Sequence, residues 1–245
     1  MTFFGPIHVG GSAKMKAALT SDHSTKGLLM TGARLLDPPH KGIRHLLGQF
    51  ALMAGRTDYT DPAELAGLRN MAHRVLTLLE EHARNEDDVI FPMLEAKSPG
   101  ATASLHADHD LLDASLESIV ARLDSMDGTQ SREEAHALYL DVTEFQAKYL
   151  LHLVREEREF EPTLWPYYSD DELRAGEAVI AQTMSPELLM AWFTVCAPAR
   201  TIVENREVLT NVKSVLPAEV YAGIIETLRP EFPAGRLETI LEGVQ

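Results

Sequence analysis

Apolar residues recur at three- and four-residue steps through most of the chain, and alternating β patterns are nearly absent. Four long helices are predicted. The first starts near Asp37, with Pro38 suited to its opening turn, and runs to about Gly55. The second opens at Asp61, Pro62 and Glu64, a capping arrangement, and reaches about Lys97 with a kink expected near Pro92. The third covers roughly Ala103 to Met126. The fourth begins at Ser131, where Glu134 completes a capping box, and extends to about Phe160, before Pro162. Shorter helices are expected after Ser169, after Ser185, and near Ala199–Val215, Ala218–Leu228 and Ala234–Val244.

Long helices with short connections predict an all-α, antiparallel up-down-up-down four-helix bundle. We expect an N-terminal arm over residues 1–35, the bundle over 36–165, and a helical C-terminal extension over 166–245 packed on the bundle. That extension contains no histidine. Packing, a homodimer contact and closure of a pocket are three roles open to it.

The apolar stripes carry residues that are costly to bury. On the fourth helix Val142, Phe145, Tyr149, His152, Glu156 and Phe160 share one face. On the second, Val75, Leu78, Leu79, His82, Glu86, Val89, Ile90 and Met93 do so. On the third they are Leu105, His109, Leu112, Leu116 and Val120, and on the first Leu36, His40, Ile43, Leu47, Phe50 and Ala54. Each long helix thus offers a core-facing histidine, and two offer a glutamate one turn later. A histidine and a carboxylate four residues apart can reach the same ion or two adjacent ions. An unpaired core carboxylate is strongly penalised, and a cation among the ligands removes that penalty. Imidazole with carboxylate suits iron and other first-row divalent ions, and six ligands suffice for two ions if the carboxylates bridge. The metal-ligand candidates are His40, His82, Glu86, His109, His152 and Glu156.

Four stretches carry a resemblance to a known family: HKGIR at His40, EEHARNEDDVIFPMLE around His82 and Glu86, LHADHDLLDASL around His109, and YLLHLVREEREF around His152 and Glu156. Over residues 35 to 165 the chain resembles the hemerythrin-like, or HHE cation-binding, family. The resemblance implies a four-helix bundle around two non-haem iron ions, oxo- or hydroxo-bridged. His40, His82, His109 and His152 would then be terminal ligands, and Glu86 and Glu156 would bridge or chelate. The oxygen carriers of this family have a further histidine where this chain has Leu105, so the resemblance implies open iron positions rather than simple reversible O₂ carriage. The implied ligand is a small diatomic molecule or peroxide: O₂, NO or peroxide is bound or sensed. A di-iron oxidase, peroxidase or NO-reducing enzyme and a metal-free helical interaction module are the alternatives.

His45 and His106 lie near the candidate positions. His45 is about 140° around the first helix from His40, and His106 stands three residues before His109. Asp108 and Asp110 flank His109 and are candidate acceptors for a ligand imidazole's other N–H. Asp87, Asp88, Glu157 and Glu159 read as a solvated acidic face, and Tyr149 as core packing or pocket lining. His8 and His23 fall in the arm, while His73 and His136 lie off the stripes.

The formal net charge of −15 disfavours nucleic acid as a partner. The longest apolar run, Leu188 to Ala199, is too short to span a bilayer, so no membrane partner is expected. The N-terminus lacks a basic segment followed by an apolar region, which predicts a cytoplasmic protein. One cysteine, Cys196, excludes an intrachain disulfide, a cysteine zinc site and an iron–sulfur cluster. No P-loop, His-Glu-x-x-His or Gly-x-Ser-x-Gly motif is present.

Overall fold

The computed structural model describes residues 33–245. The arm expected over residues 1–35, with His8 and His23, lies outside the described residues up to residue 32. All regular structure among the described residues is helical. The chain divides into two compact units, with the boundary between Leu173 and Arg174.

The first unit holds α1 (Asp37–Arg56), α2 (Pro62–Asn85), α3 (Phe91–Glu95), α4 (Ala103–Ser125) and α5 (Arg132–Arg155). Local chemistry sets their ends. Asp61 accepts from the backbone N–H groups of Ala63 and Glu64 at the start of α2, and Ser131 with Glu134 forms the reciprocal capping box of α5. Arg69 donates to the carbonyls of Leu123 and Met126, satisfying the free end of α4. The chain then turns at Gly128, whose φ of 91° favours glycine.

α1 packs on α2 and α5, and α4 packs on the same two helices, closing a ring of four. His40 near the start of α1, His82 near the end of α2, His109 near the start of α4 and His152 near the end of α5 meet at one end of this ring. Neighbouring helices therefore alternate in direction, which is the up-down-up-down bundle. The core below that end holds Ile43, Phe50, Leu68, Leu79, Leu116 and Phe145, all fully buried.

Two helices are interrupted at the histidine end of the ring. α2 passes into a π-helical turn over Glu86–Ile90 before α3, and α5 passes into another over Glu156–Phe160. In each, the residue five beyond the glutamate donates its N–H to the glutamate's carbonyl: Phe91 to Glu86, and Glu161 to Glu156. A proline follows at once, Pro92 or Pro162. Proline has no N–H for the ordinary helical bond and crowds the carbonyl four residues back. The wide turn is how each helix accommodates it. The single kink expected near Pro92 is thus one of a matched pair.

The boundary between the units falls in the first turn of α6 (Asp170–Thr183). Beyond it come α7 (Pro186–Ala199), α8 (Ile202–Val215), α9 (Ala218–Leu228) and α10 (Arg236–Leu241). This unit has its own core, with Phe193, Leu209, Val212, Leu228 and Ile240 at its centre. Fully buried Asn205 ties the α7–α8 turn by donating to the carbonyls of Ala197 and Thr201. Among the described residues, no helix is long and apolar enough to cross a membrane.

Candidate metal centre

Six polar side chains lie in the apolar end of the bundle, each 5% exposed or less: His40, His82, Glu86, His109, His152 and Glu156. The structure brings together all six residues singled out from the stripes. Nε2 of His40 lies 3.6 Å from Glu86 Oε1 and 3.5 Å from Glu156 Oε2. Nε2 of His82 lies 3.3 Å from Glu86 Oε1. Across the bundle, Nε2 of His109 is 3.4 Å from Glu86 Oε2 and 3.7 Å from Glu156 Oε1, while Nε2 of His152 is 3.1 Å from Glu156 Oε1.

Each carboxylate therefore turns one oxygen to each pair of histidines. Two tetrads result, His40–His82–Glu86–Glu156 and Glu86–His109–His152–Glu156, and the candidate ligand atoms of each lie within 4.8 Å of one another. Both tetrads use both glutamates. No hydrogen bond satisfies either oxygen of Glu86 or Glu156, or Nε2 of His40, His109 or His152. Buried polar atoms left so are costly. Inward-facing nitrogens and carboxylate oxygens converging without hydrogen bonds fit a cation, which would satisfy all of them together.

Charge within the cluster points the same way. Burial pulls the His40 imidazolium down, but Glu157, Glu86 and Glu156 outweigh it and raise its pKa to about 9. His109 behaves alike: burial opposes the proton, and Glu156 and Glu86 raise the pKa to about 10. Burial takes His82 down to about 4, the pull of Glu86 and Glu156 being too weak to offset it and the nearby His40 and His109 adding to it. Burial resists ionisation of Glu86 and Glu156, yet the surrounding imidazoles hold both below the usual carboxylate range. The carboxylates thus draw protons onto the imidazoles of His40 and His109, and a bound cation would replace them.

The outward nitrogens are held by residues that the sequence pattern assigned elsewhere. His40 Nδ1 lies 2.8 Å from Glu157 Oε1, and Arg44 grips the same carboxylate at 2.7 and 3.1 Å. His109 Nδ1 lies 3.1 Å from Asp87 Oδ1, which also meets His106 Nδ1 at 3.0 Å. Asp87 and Glu157 are therefore not a solvated face: each is drawn to a buried ring on a neighbouring helix. Asp88 and Glu159 remain exposed. Asp108 does not serve His109. It is bound by Arg155 and stands 3.7 Å from His152 Nδ1, and Asp110 is exposed. A signal for Asp87 and Glu157 does exist in the sequence, because an acidic residue directly follows each stripe glutamate.

The remaining candidates stay outside the cluster. Half-buried His45 joins neither tetrad. His106 is largely exposed and turned to Asp87. His73 pairs with Asp124 at 3.0 Å on the surface. Leu105 is buried in the core, and Tyr149 is buried with its ring centroid 5.8 Å from that of His152.

Residues 31–164 match the family described as Hemerythrin HHE cation binding domain. The chain belongs to that family. The helical fold is consistent with that domain, and cation binding, the family's description, fits a buried His/Glu cluster that could hold a metal ion.

Two curated relatives extend the comparison. The chain is 23% identical over 245 residues to Zinc finger protein BRUTUS-like of Arabidopsis thaliana, covering 93% of this chain and 19% of that protein. It is 24% identical over 154 residues to F-box/LRR-repeat protein 5 of Xenopus tropicalis, covering 62% of this chain and 23% of that protein. The chain thus spans about a fifth of the length of these relatives. Likeness to the BRUTUS-like protein runs beyond the residues of the hemerythrin domain. A single cysteine builds no cysteine zinc finger, so that part of the relative's name does not carry over. No solved structure gives a significant match.

Proposed function

We propose that this protein binds two non-haem iron ions at the bundle end and through them binds or senses O₂, NO or peroxide. The observation that carries the reading is the division of the two carboxylates: each offers one oxygen to each histidine pair, so two four-ligand positions share both glutamates. One position would take His40 and His82, the other His109 and His152. The mixture of imidazole and carboxylate favours iron over calcium or magnesium, which take oxygen ligands. Six protein ligands in two shared sets exceed the four of a single zinc ion. Bound iron would supply redox chemistry and open positions for a small ligand.

The chain's own contribution is preorganisation. Glu157 and Asp87 fix the rings of His40 and His109, and the apolar core around the cluster excludes water. Leu105 in place of the carriers' further histidine leaves the His109–His152 position with the same number of protein ligands as its partner. That equality supports ligand sensing or turnover over simple carriage. A cytoplasmic setting is part of this reading.

Elemental analysis with an optical spectrum in air, and again with azide, tests the proposal. About two irons per chain, near-ultraviolet charge-transfer bands and an azide-dependent change are expected. A chain that takes up no iron on anaerobic reconstitution overturns it, and a metal-free interaction module would then lead.

A further inference from the structure

The three seams of the bundle for which an outward histidine nitrogen can be followed are not alike. Across α1–α5, Glu157 and Arg44 cover Nδ1 of His40. Across α2–α4, Asp87 and His106 cover Nδ1 of His109. Across α4–α5 the corresponding carboxylate is Asp108, but Arg155 holds it, and Arg155 also donates to Ser104. His152 Nδ1 is left buried without a hydrogen bond.

A groove of about 310 Å³ opens at that same seam. Buried His152 and Leu112 line it, together with the charged side chains of Asp108, Lys148 and Arg155 and, at its exposed rim, Leu111 and Leu151. Both rim leucines are 71% exposed, one on each of the two helices that flank the groove. A groove of this size, part apolar and part charged, with one buried imidazole in its lining admits small molecules and excludes large ones.

We propose that the α4–α5 groove is the route by which small ligands reach the centre, and that they arrive at the position held by His109 and His152. The proposal rests on the two-iron reading above and adds a direction to it. His152, whose outward nitrogen lacks a carboxylate clamp, is the ligand that can shift to let a small molecule pass. Diatomic gases, peroxide and small linear anions such as azide fit the groove's size and lining.

The test measures azide association by rapid-mixing absorbance, and iron loss to an external chelator, on iron-loaded protein. Leu111→Trp and Leu151→Trp fill the rim without touching the cluster. Leu52→Trp, at an exposed position on α1, is the control. The rim variants should bind two irons as the parent does, with the same spectrum, yet associate with azide and release iron at least tenfold more slowly. Leu52→Trp should match the parent. Two irons with unchanged rates in both rim variants would overturn the route and leave the metal centre standing. Absence of iron in the parent would overturn both.

Discussion

Glu157 holds Nδ1 of His40 at 2.8 Å, while the residue before it, Glu156, approaches the other nitrogen of that ring at 3.5 Å. Consecutive residues of one π turn thus grip both nitrogens of one histidine on another helix. The arrangement recurs: Asp87 holds Nδ1 of His109 at 3.1 Å, and Glu86 approaches its Nε2 at 3.4 Å. An outward carboxylate orients a ligand imidazole and raises its basicity. Glu157→Gln and Asp87→Asn should therefore each weaken metal binding roughly 10- to 100-fold with helix content unchanged. Competition against a chelator of known affinity measures this, and wild-type affinity in both variants would refute the orienting role.

Removing an inward ligand should act more severely. His82→Ala or His152→Ala should lose most bound metal, whereas His73→Ala should lose none, since His73 faces Asp124 on the surface. Elemental analysis decides it, and equal metal content in all three variants would sink the assignment.

Glu161 serves the fold. It is buried beyond the α5 π turn, and its Oε1 accepts from the backbone N–H of Leu36 at 3.2 Å, at the start of α1 where no local side chain caps the helix. Glu161→Ala would leave that donor buried and unmet, at a cost of about 1–3 kcal/mol. Glu161→Gln keeps an acceptor and should retain most of the stability. Urea midpoints of the two variants would show the difference; equal midpoints would argue against the cap.

Acid sensitivity has a source at the α3–α4 turn. The half-buried Glu95 carboxylate accepts from Thr102 Oγ1 at 2.6 Å, Thr102 N–H at 2.9 Å and Gly100 N–H at 2.7 Å, bonds that hold its pKa at about 2 against an ordinary 4.5. A carboxylate depressed in the folded state stabilises above its unfolded pKa and loses that contribution as pH falls through its folded one. The effect is complete above pH 4.5 and disappears between 4.5 and about 2. Glu95→Gln should flatten the urea midpoint over that window. An unchanged slope would contradict the assignment.

Helix order, capping residues and the buried face of each long helix were legible in the sequence because each depends on residues a few positions apart. His40, His82, His109 and His152 announced themselves as breaks in apolar stripes, and so did Glu86 and Glu156. The partners of the outward nitrogens were not legible in this way. Asp108 and Asp110 are adjacent to His109 in sequence, but Asp87 reaches it from another helix, and only the relative rotation of α2 and α4 selects between them. Asp87 and Glu157 resemble Asp88 and Glu159 in type and neighbourhood. What separates the pairs is the backbone path of the wide turn.

That path depends on two residues that carry no ligand atom. Pro92 and Pro162 each stand six positions beyond a cluster glutamate. Sliding either proline by one position would move the widened turn and swing two carboxylates at once, the inward one and its neighbour. Insertions and deletions between glutamate and proline should therefore be far less tolerated than substitutions there. The five-residue interval is a ruler for the centre, measured in backbone rather than in side chains.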